Sequence, residues 1–378
     1  MFGFFVLNIV YLILVAINRP KRTTEIEMKQ LLKKRPLIIS GPCSAETEEQ
    51  VMDTANRLAA TGMVDVMRAG IWKPRTRPGT FEGVGTKGLP WLQHARKATG
   101  IPLAVEVATA RQVEDALHFD VDILWIGARS VVNPMSVQEI ANALKGSDVP
   151  VLIKNPMNPD IDLWSGAVER ISIAGITNIG LIHRGFSTYG KHKYRNPPIW
   201  HLAIEMRRRY PDLMMICDPA HISGRRDLIQ SVSQKAIDLD FDGLMIESHR
   251  DPDNAWSDAK QQVTPEVLKS ILESLIWRER TSDSEPVMAV LDEYREVIDQ
   301  IDDELMQLLA KRMSMAERIG EYKKDNKLTI LQTSRWNEIL ERGMNLGKNL
   351  GLSYEFVSNF LESVHMESIN HQNRVMNS

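Results

Sequence analysis

At 378 residues the chain is longer than one ordinary domain, which favours two or three domains with a sizeable core. Forty-six basic against 49 acidic side chains leave a formal net charge of -3, so no global charge points to nucleic acid and any anion site must be local. Two cysteines, Cys43 and Cys217, exclude a disulfide framework and fit a reducing, cytoplasmic setting.

The first 18 residues, MFGFFVLNIVYLILVAIN, carry no charged side chain and are followed by RPKR. The run is slightly short for a membrane helix and lacks the basic n-region and small-residue cleavage site of a secretory signal. Two expectations arise for 1–27. Either translation starts at Met28, or the stretch is an anchor whose flanking positive charges hold the rest on the cytoplasmic side.

From residue 36 to about 277 a short β-rich apolar run alternates with an amphipathic stretch, eight times over. The expected strands lie near 37–40, 64–69, 102–107, 122–127, 150–154, 178–183, 213–217 and 243–247. Eight consecutive βα units predict a (β/α)8 TIM barrel over 28–278. The alternative, an open doubly wound sheet, is disfavoured because no Gly-rich dinucleotide fingerprint follows the first strand.

ERTSDSEP (279–286) reads as a linker, being polar, without apolar period and closed by proline. Beyond it Val290, Tyr294, Val297, Ile298, Ile301, Leu305, Leu308, Met315 and Ile319 recur at helical spacing and predict one helix over 287–325. Such a helix is about 58 Å long and needs a partner along its length, which predicts an intertwined homodimer. Shorter helices near 333–347 and 353–375 complete an all-α module over 287–378.

Four residues of metal-binding type, Cys43, His221, Glu247 and Asp258, follow runs that read as strands: PLIIS, LMMIC and GLMIE. A lone Cys at a strand end is usually a small buried hydrophobe, and a lone DPAH can be a turn with a hydrogen-bonded histidine. Their recurrence at the same end of several strands makes coincidence the weaker account. A thiolate, an imidazole and two carboxylates suit Mn, Fe, Co or Zn better than Mg or Ca. Cations gather at the same ends: Arg68, Lys73, Arg75 and Arg77, then Arg129, Lys154 and Arg184. Any one of them is ordinarily a solvated surface charge. Their recurrence on the face where TIM barrels place active sites points to phosphate and carboxylate groups.

Taken together, GPCSAET (41–47), KPRT (73–76), IGAR (126–129), KNP (154–156), HRG (183–185), DPAH (218–221) and IESH (246–249) resemble the 3-deoxy-D-arabino-heptulosonate 7-phosphate (DAHP) synthase family. The closer likeness is to its subgroup related to 3-deoxy-octulosonate 8-phosphate synthase. The resemblance implies condensation of phosphoenolpyruvate with erythrose 4-phosphate at a divalent metal held by Cys43, His221, Glu247 and Asp258. It gives phosphoenolpyruvate to Arg68, Lys73, Arg129, Lys154 and Arg184, and erythrose 4-phosphate to Arg75 and Thr76. Lys73 is either the acid or base near the reacting carbon or a plain phosphate contact. The competing octulosonate synthase uses arabinose 5-phosphate and typically carries an Asn-containing stretch where this chain has KPRT, which favours the four-carbon aldose.

In the helical module Arg312 and Lys323 stand eleven residues apart, on one stripe of the helix. Ser368 and Gln372 form an i,i+4 polar pair, and Arg335 opens the middle helix. Residues 288–376, including YREVIDQIDDELMQLLAKR (294–312), are similar to the all-helical chorismate mutase family. The resemblance implies a pocket of Arg295, Arg312, Lys323, Arg335, Ser368 and Gln372, with Arg295 supplied by the partner chain. Lys323 and Gln372 would face the ether oxygen of chorismate as its bond breaks. Gln332 and Trp336 depart from the pattern, standing where many relatives have acids, the second often a Glu that binds the substrate hydroxyl. A weak mutase, or another hydroxyl acceptor, is implied.

The whole reads as a bifunctional enzyme of aromatic amino-acid biosynthesis. The alternative is a synthase whose mutase-derived module mainly binds prephenate or chorismate and regulates the barrel allosterically.

Overall fold

The structure is a computed structural model that describes residues 34–75, 79–190, 192–279, 281 and 284–377. The leader 1–27 and Thr76 lie outside the described residues, as does Arg77. Two compact units divide between 280 and 281.

In the first unit each of the eight apolar runs forms a strand: β1 (Leu37–Gly41), β2 (Val66–Arg68), β3 (Leu103–Val107), β4 (Ile123–Ile126), β5 (Val151–Lys154), β6 (Ile179–His183), β7 (Met214–Cys217) and β8 (Gly243–Glu247). All neighbours are parallel and pair in chain order, with β1 closing onto β8, so the expected (β/α)8 barrel is the fold. Helices α1 (Glu48–Thr61), α2 (Gly88–Thr99), α3 (Ala110–His118), α4 (Ala128–Val131), α5 (Pro134–Leu144), α6 (Ile161–Ile173), α7 (Trp200–Arg209), α8 (Pro219–Ser223), α9 (Ile229–Asp238) and α10 (Pro265–Ser274) intervene or follow. Their starts are written in the sequence. Thr47, Thr109, Asn133, Asp160 and Thr264 each accept a backbone N–H from the first turn of the helix they precede.

Strand periodicity sorts the core into two layers. Leu37, Ile39, Val66, Ile123, Trp125, Leu152, Ile182, Ile216 and Met245 fill the barrel interior. Their alternating neighbours, such as Ile38, Met67, Leu124, Ile153 and Leu181, pack outward against the helices. Gly41 ends β1 at φ +150°, and a Cβ there would lie 2.0 Å from the Arg68 carbonyl oxygen. This close approach of backbones is open to glycine alone and aims the following GPCS loop across the barrel mouth.

The second unit is all helical: α11 (Glu285–Asp325), α12 (Thr333–Asn349) and α13 (Tyr354–Met376). Helix α11 starts two residues earlier than periodicity predicts. Pro286 lies in its first turn, where the missing N–H would have no intrahelical partner anyway. Gly320 of α11 lets α13 close in, since a Cβ there would meet the Gln372 Cα at 3.0 Å. Along α11 the apolar stripe is exposed, Tyr294 at 62 % and Ile301 at 52 % among others. Among the described residues no helix is long and apolar enough to cross a membrane.

His183, the last residue of β6, points out of the barrel into an aromatic box. Trp200, Phe186, Phe241 and Trp164 surround it with ring centroids 5.3, 5.7, 6.0 and 6.3 Å away. Burial, with Arg184 beside it, pushes the imidazole down to about 3 from its ordinary 6.5. The folded state therefore holds this group neutral while the unfolded chain protonates near 6.5, so its contribution to stability is present above that pH and is lost as the pH falls toward 3. His183→Phe removes the effect. Relative to wild type, the variant should gain about 1.4 kcal/mol in unfolding free energy between pH 7.5 and 5.5, read from denaturant curves on the barrel tryptophans. A pH-independent difference would contradict this account.

Candidate active sites

The first site forms where the strands end. Cys43 lies two residues past β1, Arg68 ends β2, Lys154 ends β5, Arg184 follows β6, Asp218 follows β7 and Glu247 ends β8. Cys43 Sγ, Glu247 and Asp258 converge, with one donor atom from each lying within 4.8 Å of the others. Asp258 comes from the loop after β8 and adopts the left-handed conformation at φ 47°, ψ 34°, an uncommon position that Asp tolerates better than most residues. That loop is stitched to the one after β1. The Cys43 N–H donates to Gln262 Oε1 at 2.8 Å, Gln262 Nε2 donates to the Ser257 carbonyl at 2.8 Å, and the Trp256 N–H donates to Glu46 Oε1 at 2.6 Å.

His221 stands at the edge of this cluster. Its Nε2 faces Glu247 Oε1 at 3.8 Å, while Nδ1 is held by Asp218 Oδ2 at 2.9 Å. Asp218 also accepts from Lys154 Nζ at 2.8 Å. A carboxylate behind an imidazole fixes the ring orientation and leaves Nε2 as the ligating atom. Ligands about 2.0–2.3 Å from one ion sit about 3–4.5 Å apart, and Cys43 Sγ to Asp258 Oδ2 is 3.3 Å. The donor set and its spacing fit a divalent cation of intermediate softness.

The electrostatics agree. Burial works against the ionised form of Glu247, but His221 and Arg68 outweigh it and hold the carboxyl below its usual range. Asp258 is held low in the same way, with His221 and Arg195 outweighing burial. Asp218 lies well below the usual carboxyl range because His221 and Lys154 oppose its burial. Cys43 goes the other way: burial and the Glu247 charge push its thiol up to about 12. The thiol donates to Asp258 Oδ2, and Lys73 Nζ donates to Sγ at 3.1 Å. A bound cation would take the place of that proton.

The anion-binding candidates divide. Arg68 is buried against Glu247 Oε1 at 3.2 Å, with its guanidinium 4.9 Å from the Trp125 ring. Lys73 and Lys154 join the network through Cys43 and Asp218. Arg184 is almost wholly buried, and burial lowers it to about 10 despite Asp218; Arg195 and Arg129 are among its electrostatic neighbours. Arg129 is exposed. Arg75 turns back within its own loop and donates to the Phe81 carbonyl at 2.9 Å, so the structure does not bring it to the cluster.

Sequence reasoning missed Arg195 and Gln261. Arg195 Nη1 donates to Asp258 Oδ1 at 2.9 Å and to Gln261 Oε1 at 2.7 Å. Gln261 Nε2 donates onward to Glu247 Oε2 at 2.6 Å. The two residues thus orient both carboxylates of the cluster. Arg195 lies in a loop after β6 with no strand end to flag it, and its cationic type alone offered no signal.

The second site is a cavity of about 390 Å³ between α11, α12 and α13, lined among others by Arg312, Lys323, Gln332, Arg335, Trp336, Ser368 and Gln372. Arg312 donates to Ser368 Oγ and to the Val364 carbonyl, and Lys323 Nζ donates to Gln372 Oε1 at 3.2 Å and to the Ile330 carbonyl at 2.5 Å. Burial lowers both cations below their ordinary values. Arg335 pairs with Glu338 at 2.7 Å near the surface. Arg295 does not line the cavity. It pairs with Asp292, about 25 Å from Arg312 along one straight helix.

Residues 25–283 match the DAHP synthetase I family, and residues 294–373 match chorismate mutase type II. A phospho-2-dehydro-3-deoxyheptonate aldolase of Thermotoga maritima is 34% identical over 238 residues, spanning 63% of this chain and 68% of its own. A crystal structure of a phospho-2-dehydro-3-deoxyheptonate aldolase (DAHP synthase) from that organism aligns with a TM-score of 0.57 at 34% identity, covering 63% of this chain and 67% of that one. A truncated 3-deoxy-D-arabino-heptulosonate 7-phosphate synthase from Thermotoga maritima aligns at 0.55 and 31% identity, covering 63% and 84%. A 2-dehydro-3-deoxyphosphooctonate aldolase of Desulfotalea psychrophila is 27% identical over 259 residues, spanning 64% of this chain and 88% of its own.

Arg195→Ala tests the orienting role. Metal-free variant titrated with Co²⁺ should bind roughly 10- to 100-fold more weakly than wild type, with the far-ultraviolet spectrum unchanged. Equal affinities would remove Arg195 from the site.

Proposed function

Because the chain belongs to the DAHP synthetase I family and carries a chorismate mutase type II domain behind the barrel, we propose that it runs two reactions of the shikimate pathway. The barrel condenses phosphoenolpyruvate with erythrose 4-phosphate in a metal-dependent manner. The helical unit rearranges chorismate to prephenate. The observation that carries the first reading is the convergence of Cys43, Glu247 and Asp258 at a mouth ringed by cations.

The metal, held by those three residues and His221, would polarise the aldehyde oxygen of erythrose 4-phosphate when bound. The protein does the rest by placement. Lys154, Arg184 and Arg129 offer charge-assisted donors for the phosphate and carboxylate of phosphoenolpyruvate, and holding both reactants in attack geometry supplies much of the rate. Lys73, 3.1 Å from Cys43 Sγ, is placed to hold or deliver a proton beside the reacting carbon. Arg68 serves the site first by keeping Glu247 ionised. Arg75 and Thr76 receive the aldose phosphate, which requires Arg75 to release the Phe81 carbonyl. Greater identity to the heptonate aldolase than to the octonate aldolase supports erythrose 4-phosphate over arabinose 5-phosphate.

In the helical unit three cations line a cavity of suitable size for a small dicarboxylate. Arg312 and Arg335 bind its carboxylates, while Lys323 and Gln372 face the ether oxygen, stabilising charge that develops only as the bond breaks. A second copy of the chain covers the apolar stripe of α11 and brings its Arg295 to the cavity. The exposed stripe supports that dimer.

A paired assay of the purified protein tests both halves. Removing metal with a chelator should abolish condensation and leave rearrangement intact, and full synthase activity in verified metal-free protein would defeat the metal assignment. Failure of the intact dimer to convert chorismate, with prephenate still bound, would make the helical unit a regulatory binding module instead. Arg75→Ala should raise KM for erythrose 4-phosphate about 10- to 100-fold, with little change for phosphoenolpyruvate. A wild-type preference for arabinose 5-phosphate would overturn the substrate choice.

A further inference from the structure

The helical cavity carries cations on two of its three walls, Arg312 and Lys323 from α11 and Arg335 from α12. Among the described residues no carboxylate lines it. Carboxylates of a ligand are therefore provided for, but a ligand hydroxyl that must donate a hydrogen bond meets few acceptors. Ser368 Oγ and Gln372 Oε1 already accept from Arg312 and Lys323, and the Gln332 amide is the other neutral side-chain acceptor on the lining. One polar group remains that neither the sequence reading nor the proposed mechanism uses. His365, on α13, lines the cavity, and its Nε2 is sealed from solvent with no hydrogen-bond partner among the described residues. Its ring stacks on Trp336 with centroids 4.2 Å apart and planes 17° from parallel.

An unpartnered buried nitrogen is costly, and such groups usually mark a missing ligand or water. Here the surroundings specify its role. Burial, then the charges of Arg312 and Lys323, lower the imidazole below its ordinary value, so the ring is neutral near pH 7 and one nitrogen is an acceptor. Stacking on Trp336 sets the plane of the ring, and Nε2, closed off in the empty cavity, meets a ligand hydroxyl once the side chains over it part.

Resting on the mutase reading above, we propose that His365 Nε2 accepts a hydrogen bond from the ring hydroxyl of the bound substrate, with Trp336 as the plate that orients it. The contact makes His365 a specificity-determining residue. A site that pairs a substrate hydroxyl discriminates against the analogue lacking it, because the site's own polar group is then left unpaired.

The test uses full-length protein and two substrates, chorismate and its analogue with the ring hydroxyl replaced by hydrogen. Wild type should prefer chorismate by about tenfold or more in kcat/KM. His365→Leu keeps the ring's bulk without an acceptor, and should lose about that factor on chorismate while handling the analogue like wild type, so the preference collapses. His365→Gln places an amide oxygen near the Nε2 position and should restore part of it. Two results overturn the proposal and leave the mutase reading standing: His365→Leu matching wild type on both substrates, or losing both equally. If wild type turns over neither substrate, the same comparison is made in Kd by calorimetry, and equal wild-type affinities for the two compounds overturn the contact there as well.

Discussion

Glu247 ends a central barrel strand with no exposed surface, and an ionised carboxylate in that position is unsustainable without a partner. Arg68 supplies it at 3.2 Å from the strand on the far side of β1, itself buried and laid against the face of Trp125. From this pair the rest of the barrel mouth extends. Glu247 also receives Gln261, which is held by Arg195, which holds Asp258, which accepts from the Cys43 thiol. On the other side His221 leans toward Glu247 and is fixed by Asp218 and Lys154. Every carboxylate of the cluster is thus kept charged by a neighbour, and each donor atom is aimed before any ion binds. The barrel supports this because β1, β2 and β8 are adjacent and Gly41 permits the backbones to touch.

The two candidate sites solve different electrostatic problems. The barrel mouth mixes signs: buried carboxylates and a thiol in its centre, cations around them, which suits a bound cation flanked by anionic reactants. The helical cavity has cations and neutral groups only, which suits an anion and no metal. The rearrangement proposed for it would need less from the protein, since an intramolecular reaction requires orientation and charge stabilisation without a nucleophile. Burial lowers Arg312 and Lys323 from their ordinary values. Desolvated charges of this kind act strongly on a ligand that replaces their lost water.

Much of this is legible in the sequence. The eight strands fall within two residues of where apolar runs predict them, because a parallel strand buried on both faces must be continuously apolar and its βα rhythm is strict. The long helix is equally plain from a 3.6-residue period without proline in its interior. Residues at strand ends, such as Cys43, Glu247 and Lys154, were visible because barrel topology gathers those ends on one face. Arg312, Lys323, Ser368 and Gln372 were visible as helical neighbours, set by local geometry.

What the tertiary structure alone decided are the contacts between segments with no common period. Arg195 reaches Asp258 across 63 positions of sequence, and neither loop carries a local signal that names its partner. The stacking of His365 on Trp336 depends on how α12 and α13 pack, and it leaves a histidine with no motif holding a buried, unpartnered ring nitrogen beside a cationic cavity. Arg75, which the family resemblance assigns to an aldose phosphate, instead binds its own loop at Phe81, a choice made by loop geometry. Sequence by itself determined the barrel, the helical module and the residue types at their working faces, since periodicity and short spacings act locally. Orientation of those side chains, and which second residue holds each one, belonged to the fold, because a buried charge takes its partner from whatever the packing brings within 3 Å.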